Sequence, residues 1–241
     1  MKKILLLAAL ALGALAVSAQ SVGGGRSSGG TEVSKGWNTI YLQYNNVGCS
    51  HEKINWSQLD LDWKPSESAN AVTFGLNHAF NIVPSLPLYV EAGLGVQFVM
   101  YSDSYNTNSN KLKVTGHLLS AKVPINVLYH FNIPNTDFAI EPLFGFDFRV
   151  NILGKAKSEE SWRSYYDDEW RTSKDEANLF KKEDMDGNAA KRFQAGWHIG
   201  ANFVYKQVAL GIQYGQDFNK IHDDALNPKL KTTTISLGYR F

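Results

Sequence analysis

From Trp37 onward the chain alternates apolar and polar residues with a period of two, which is the signature of extended strands with one apolar face. In "WNTIYLQYN", Ile40, Leu42 and Tyr44 oppose Thr39, Tyr41 and Gln43. In "AVTFGLNHAFNI", Val72, Phe74, Leu76 and Phe80 oppose Thr73, Gly75, Asn77 and Asn81. The pattern returns in "LYVEAGLGVQFVMY", "LSAKVPINVLYHF" and "FAIEPLFGFDFRVNI". It returns again in "FQAGWHIGANFVYK", "VALGIQYGQDF" and the terminal "TTTISLGYRF". Eight strands are therefore predicted. The connections alternate too: 83–87, 132–136 and 206–207 are short, whereas 46–69, 102–112, 155–190 and 219–229 are expected to be long polar loops. An even number of strands with short turns at one end and long loops at the other predicts an all-β fold, an eight-stranded antiparallel transmembrane up-and-down β-barrel. Such a barrel places both ends of the chain beside the short turns.

Which face meets lipid follows from what each face carries. Glycines gather on the polar face (Gly75, Gly93, Gly95, Gly145, Gly196, Gly211, Gly215 and Gly238), as a crowded interior requires. The apolar face is bulky, with Phe138, Phe144, Phe146 and Phe148 in one strand, too large for the interior of a small soluble calyx. Aromatics near strand ends, among them Trp37, Tyr101, Tyr129 and Phe218, are expected to form interfacial girdles. The apolar face is therefore expected outside and the polar face in the lumen. Pro124 stands out, because a mid-strand proline removes a ladder donor.

The start of the chain changes the picture from fold to location. "MKKILLLAALALGALAVSAQ" has a basic start, an apolar run and small residues at Val17, Ser18 and Ala19, so 1–19 is expected to be a cleaved export signal. The Gly/Ser-rich 20–35 is expected to be a flexible linker, leaving 36–241 as the barrel domain. Together these predict an exported protein of the cell outer membrane, with outer-membrane lipids as its surroundings. A formal net charge of +1 gives no reason to expect a nucleic-acid partner. The single cysteine, Cys49, excludes an internal disulfide framework.

Several stretches resemble a known group once read together. "LLSAKVPINVLYHF", "FAIEPLFGFDFRVNILGK", "GWHIGANFVYKQVALGIQYGQDF" and "ISLGYRF" resemble the Gram-negative outer-membrane β-barrel domain family often labelled porin-family or PorT-like. The resemblance implies the barrel architecture and brings no catalytic residue and no cofactor. It also implies that Tyr239 and Phe241, in the alternating terminal strand, form the signal read by the barrel-assembly machinery.

Candidate chemistry falls in two places. The polar face carries Glu91, Glu141, Asp147 and Asp217 against Lys122, Arg149 and Arg240, a near-balanced set expected to form a lumen charge network, because an unpaired buried charge is costly. The alternative is a gate whose pairs switch to admit ions. The stretch 155–192 mixes charges of both signs with Trp162, Tyr165, Tyr166 and Trp170, either a binding loop for an extracellular ligand or protein, or a loop packing its own aromatics. His78, His117, His130, His198 and His222 show no metal-ligand spacing, and "DMDGN" at 184–188 lacks the closing Glu of a calcium loop. The function expected is a structural or loop-mediated binding role around a largely plugged lumen. Its rivals are a narrow pore for small solutes or secretion-apparatus component, and an outer-membrane lipid-modifying or proteolytic enzyme.

Overall fold

The computed structural model describes residues 34–50, 68–164, 166, 168–185, 187, 189–222 and 229–241. The expected leader at 1–19, and the linker except for its last two residues, lie outside them. The strands are β1 (Gly36–Ser50), β2 (Ser68–Asn81), β3 (Leu88–Asn106), β4 (Asn110–Tyr129) and β5 (Phe131–Asn132). They continue as β6 (Phe138–Arg163), β7 (Trp170–Asn178), β8 (Phe193–Tyr205), β9 (Val208–Asp217) and β10 (Lys229–Arg240). All neighbours are antiparallel. β1 pairs with β10 and β4 with β6, which closes the ring β1-β2-β3-β4-β6-β8-β9-β10. The two-residue β5 and the outlying β7 both pair with β6, so the barrel proper has eight strands.

Closure answers the edge problem of the last strand. Phe241 N donates to Asn38 O, and Asn38 N donates back to Phe241 O, each at 3.0 Å. With β1 on one side and β9 on the other, β10 is no longer an edge strand. Alternation sorts the side chains as expected. Ile40, Phe74, Val96, Phe146, Leu210 and Ile235 are exposed on the outer face, while Gln43, Thr73, Glu91, Lys122, Glu141 and Thr234 are buried inside. Inward glycines make room for neighbours. A Cβ on Gly75 would lie 2.4 Å from the Tyr41 hydroxyl, and one on Gly95 would lie 2.6 Å from it.

Two irregularities shape the wall. The β3–β4 ladder holds Ala92↔Ile125 and Gly95↔Lys122 but opens between them, where Pro124 has no N–H to give. On its other side Pro124 still faces Asp147 of β6. Between Leu119 and Ser120 the β4–β6 register shifts by one, leaving Ile152 as a bulge. Both Ile152 and Leu153 face outward, and from Gly154 the even-numbered residues of β6 point inward.

The expected loops at 102–112 and 155–190 are not loops through most of their length. β3 and β4 run on as a hairpin turning at 107–109, and β6 runs to Arg163 before β7 returns beside it. The outer face of this extension carries ion pairs between Lys155, Lys157 and Glu176 and between Lys174 and Glu159. Charges alternating with charges gave no apolar stripe to read, yet cross-strand pairing holds the strands together. The girdle assignment fails for Trp37 and Tyr101. Both occupy inward positions of their strands, and Trp37 packs inside against Tyr89.

Candidate functional site

Along its axis the lumen has three tiers of different chemistry. At the turn end Ala79, Tyr89, Leu128 and Leu143 form a buried apolar cluster, with Trp37 packed against it. The Trp37 and Tyr89 rings lie 4.4 Å apart, and the Arg240 guanidinium sits 4.4 Å over the Trp37 ring. Tyr89 Oη donates to Ser34 O at 3.0 Å, which ties the segment before β1 to the barrel.

The middle tier is ionic. Glu141, fully buried, accepts from Arg240 Nη1 at 2.7 Å and from its Nη2 on the other carboxylate oxygen. This is a bidentate, charge-assisted pair. His130 Nδ1 lies 2.6 Å from the same carboxylate, and Asn202 donates to it at 3.3 Å. One layer on, Glu91 Oε1 accepts from Asn77 at 3.0 Å and Asn126 at 2.8 Å. Asn126 Oδ1 meets His198 Nε2 at 2.6 Å, and His198 Nδ1 lies 3.1 Å from Asp147. Lys122 Nζ approaches Asp147 to 3.2 Å, and Arg149 pairs with Asp217. The Asp147 contacts are ion pairs by distance without hydrogen-bond alignment, since neither His198 Nδ1 nor Asp147 Oδ1 is hydrogen-bonded. Among the described residues, cavities of about 40 and 20 Å³ lie in this tier. Such volumes admit a water or two and little else.

The structure thus brings Glu91, Lys122, Glu141, Asp147, Arg149, Asp217 and Arg240 into one lumen, but as separate pairs bridged by histidine and asparagine side chains. His130, His198, Asn77, Asn126 and Asn202 are the bridges that charge-counting missed, although alternation had put all five inside.

At the loop end the lumen widens into a cup of about 500 Å³ with a mainly apolar wall. β3 contributes Val99, β4 Val114 and Leu118, and β1 Val47. The segment after β7 folds back to add Leu179 and Ala190, whose backbones bond to each other and to Gly154. The cup had no forerunner in the sequence reading, because much of its wall, from Val47 and Ala69 to Ala156, Leu179, Ala190 and Ile221, comes from the stretches read as loops.

The aromatic candidates sit at the far tip of the extension. Trp162 ends β6, Trp170 begins β7 with Lys111 Nζ 4.4 Å over its ring, and Tyr166 in the turn is almost fully exposed. Tyr165 lies outside the described residues. Tyr239 and Phe241 both point outward at the turn end. Asp184, in a short 3₁₀ turn at Glu183–Met185, accepts from the Asn178 amide at 2.9 Å; Asp186 and Asn188 of the same motif lie outside the described residues. Among the described residues no three His, Cys, Asp or Glu side chains converge as a metal site.

A family model for the outer membrane protein beta-barrel domain matches residues 6–241. No curated protein matches the chain. Among solved structures, Ail, the attachment invasion locus protein of Yersinia pestis, solved with the heparin analogue sucrose octasulfate, is 13% identical with a TM-score of 0.38, covering 86% of this chain and 100% of its own. Neisserial surface protein A is 13% identical with a TM-score of 0.37, covering 85% and 97%. OprG from Pseudomonas aeruginosa is 12% identical with a TM-score of 0.32, covering 86% and 96%. Likeness this remote transfers no ligand and no role.

Proposed function

As the chain belongs to the outer membrane protein beta-barrel domain family, we propose that it is a non-conducting outer-membrane barrel whose working parts lie at its loop end, facing the cell exterior. The observation that carries this reading is the middle tier. Its seven charged side chains come from five of the eight ring strands and crowd the space around cavities of only about 40 and 20 Å³. Eight strands enclose an interior just wide enough for side chains to fill. A narrow pore would need these pairs to part, and parting one exposes a buried charge without its partner.

The stiff β3–β4–β6–β7 extension supports a loop-mediated binding role. It holds Trp162, Tyr166 and Trp170 clear of the lipid band, and aromatic residues among charges are what recognition surfaces use. Tyr239 and Phe241, outward on the closing strand, are the side chains available to the assembly machinery.

Planar-bilayer recording of the purified barrel tests the plug. The expected trace is flat, without steady conductance. Large, stable openings would overturn the plugged-lumen reading in favour of a narrow pore.

A further inference from the structure

A membrane barrel ordinarily keeps its apolar residues outside and its polar ones within. The loop-end cup departs from that rule. Val47, Val99, Val114 and Leu118 point inward there, above the ionic tier. An apolar cavity that nothing fills forfeits the contacts its lining could make. At about 500 Å³ the cup is of the size that small-molecule sites use.

The floor of the cup says what kind of molecule fits. Arg149 on β6 and Gln194 on β8 are directly opposite one another and both line it. Gln194 is 2% exposed, yet neither its Nε2 nor its Oε1 has a hydrogen-bond partner. Arg149 Nε is likewise buried without one. Buried polar groups are almost always satisfied, so three such atoms together are an unmet demand. They comprise two donors and one acceptor. Because the Arg149 charge is already met by Asp217, the floor has no excess positive charge to draw an anion. It asks for a neutral head that both donates and accepts.

We propose that the cup is a binding site for an uncharged amphipathic small molecule. Its apolar chain or ring would lie against the valine and leucine wall, with an amide or hydroxyl head on Gln194 and Arg149. The proposal goes beyond the plugged-lumen reading and does not depend on it, since the cup lies above the ionic tier whether or not that tier conducts.

The test uses the full chain reconstituted in lipid nanodiscs, with 1-aminoanthracene, an uncharged ring bearing one small polar group, as the fluorescent probe. The expected result is a saturable rise in fluorescence with micromolar affinity. Decanamide should displace the probe at concentrations about tenfold below those needed for decanoate, the worth of roughly one well-made hydrogen bond. Two variants fill the cup, Ala156→Trp and Val114→Phe, and either one that retains heat-modifiable migration should weaken probe binding at least about tenfold. Gln194→Leu should leave the wall intact but erase the preference for the amide. A linear, unsaturable signal that the filling variants do not change would overturn the site. Equal or better displacement by decanoate would overturn the assignment of a neutral head.

Discussion

Two stretches of one lumen, a few residues apart along the same strands, solve opposite problems. In the middle tier charged groups are taken out of water and almost every charge has a partner, leaving cavities of about 40 and 20 Å³. In the cup the wall is mainly apolar and the space is about 500 Å³, with both side-chain polar atoms of Gln194 unsatisfied at its floor. Removing one partner in the first region strands a charge. Removing a methyl group in the second only enlarges a space that already exists. A filled interior whose charges are paired is the mark of a structural element, and a roomy apolar one is the mark of a site.

The largest effect that could break this contrast is expected at Glu141. Glu141→Leu leaves Arg240 buried over Trp37 without its carboxylate, and should cost about 3–5 kcal/mol in urea-induced unfolding from lipid or detergent. The double change Glu141→Leu with Arg240→Met should recover most of that loss, because burying an apolar pair avoids desolvating two charges. If the single variant costs under about 1 kcal/mol, the middle tier is wet and the comparison fails.

A smaller effect is expected in the cup. Val114→Ala should cost less than about 1 kcal/mol in the same titration, below the usual range for deleting methyl groups from a sealed core. A loss of several kcal/mol would mean that the cup is packed like a core rather than open to a ligand.

The smallest effect belongs to the extension above both regions. Hydrogen bonds from Lys155 and then Lys157 hold the Glu176 carboxyl down to about 2 from its ordinary 4.5. A depressed carboxyl stabilises the folded form above its ordinary value, and the benefit is lost as pH falls from about 4.5 towards 2. Amide exchange in β7, corrected for intrinsic rates, should therefore quicken across that window, and concentrated salt should imitate the change at neutral pH. The Glu176→Gln variant should show neither response. Since Glu176 is fully solvent-facing, the change should stay within the hairpin and leave barrel unfolding unaffected.

Much of this architecture was legible before any coordinates. The period-two pattern fixed which face of each ring strand meets lipid, because a one-residue slip would have turned every phenylalanine of β6 inward. The seven lumen charges were legible for the same reason. Their partners were not, since Glu141 meets Arg240 across 99 positions of sequence and Asn126 meets His198 across 72. Trp37 was misread by weighing its chemistry over its position: it shares parity with Thr39 and Tyr41, which point inward. The extension was hidden because β7 and the end of β6 are polar on both faces. With it went the cup, whose wall rises from those same strands.

The bulge at Ile152 gives the molecule a kind of reading frame. Below it β6 is in one two-residue phase, odd positions inward; above it the phase is shifted by one, so that Gly154 and Ala156 face the cup while Lys155 and Lys157 face out. The barrel half and the extension half of the longest strand are thus phased independently. Length can be gained or lost above Ile152 in steps of two residues without disturbing a single side chain of the barrel below it. A single-residue change below it would invert everything up to the bulge. This divides β6 into a part that must keep its count and a part whose length can change, with Ile152 as the border.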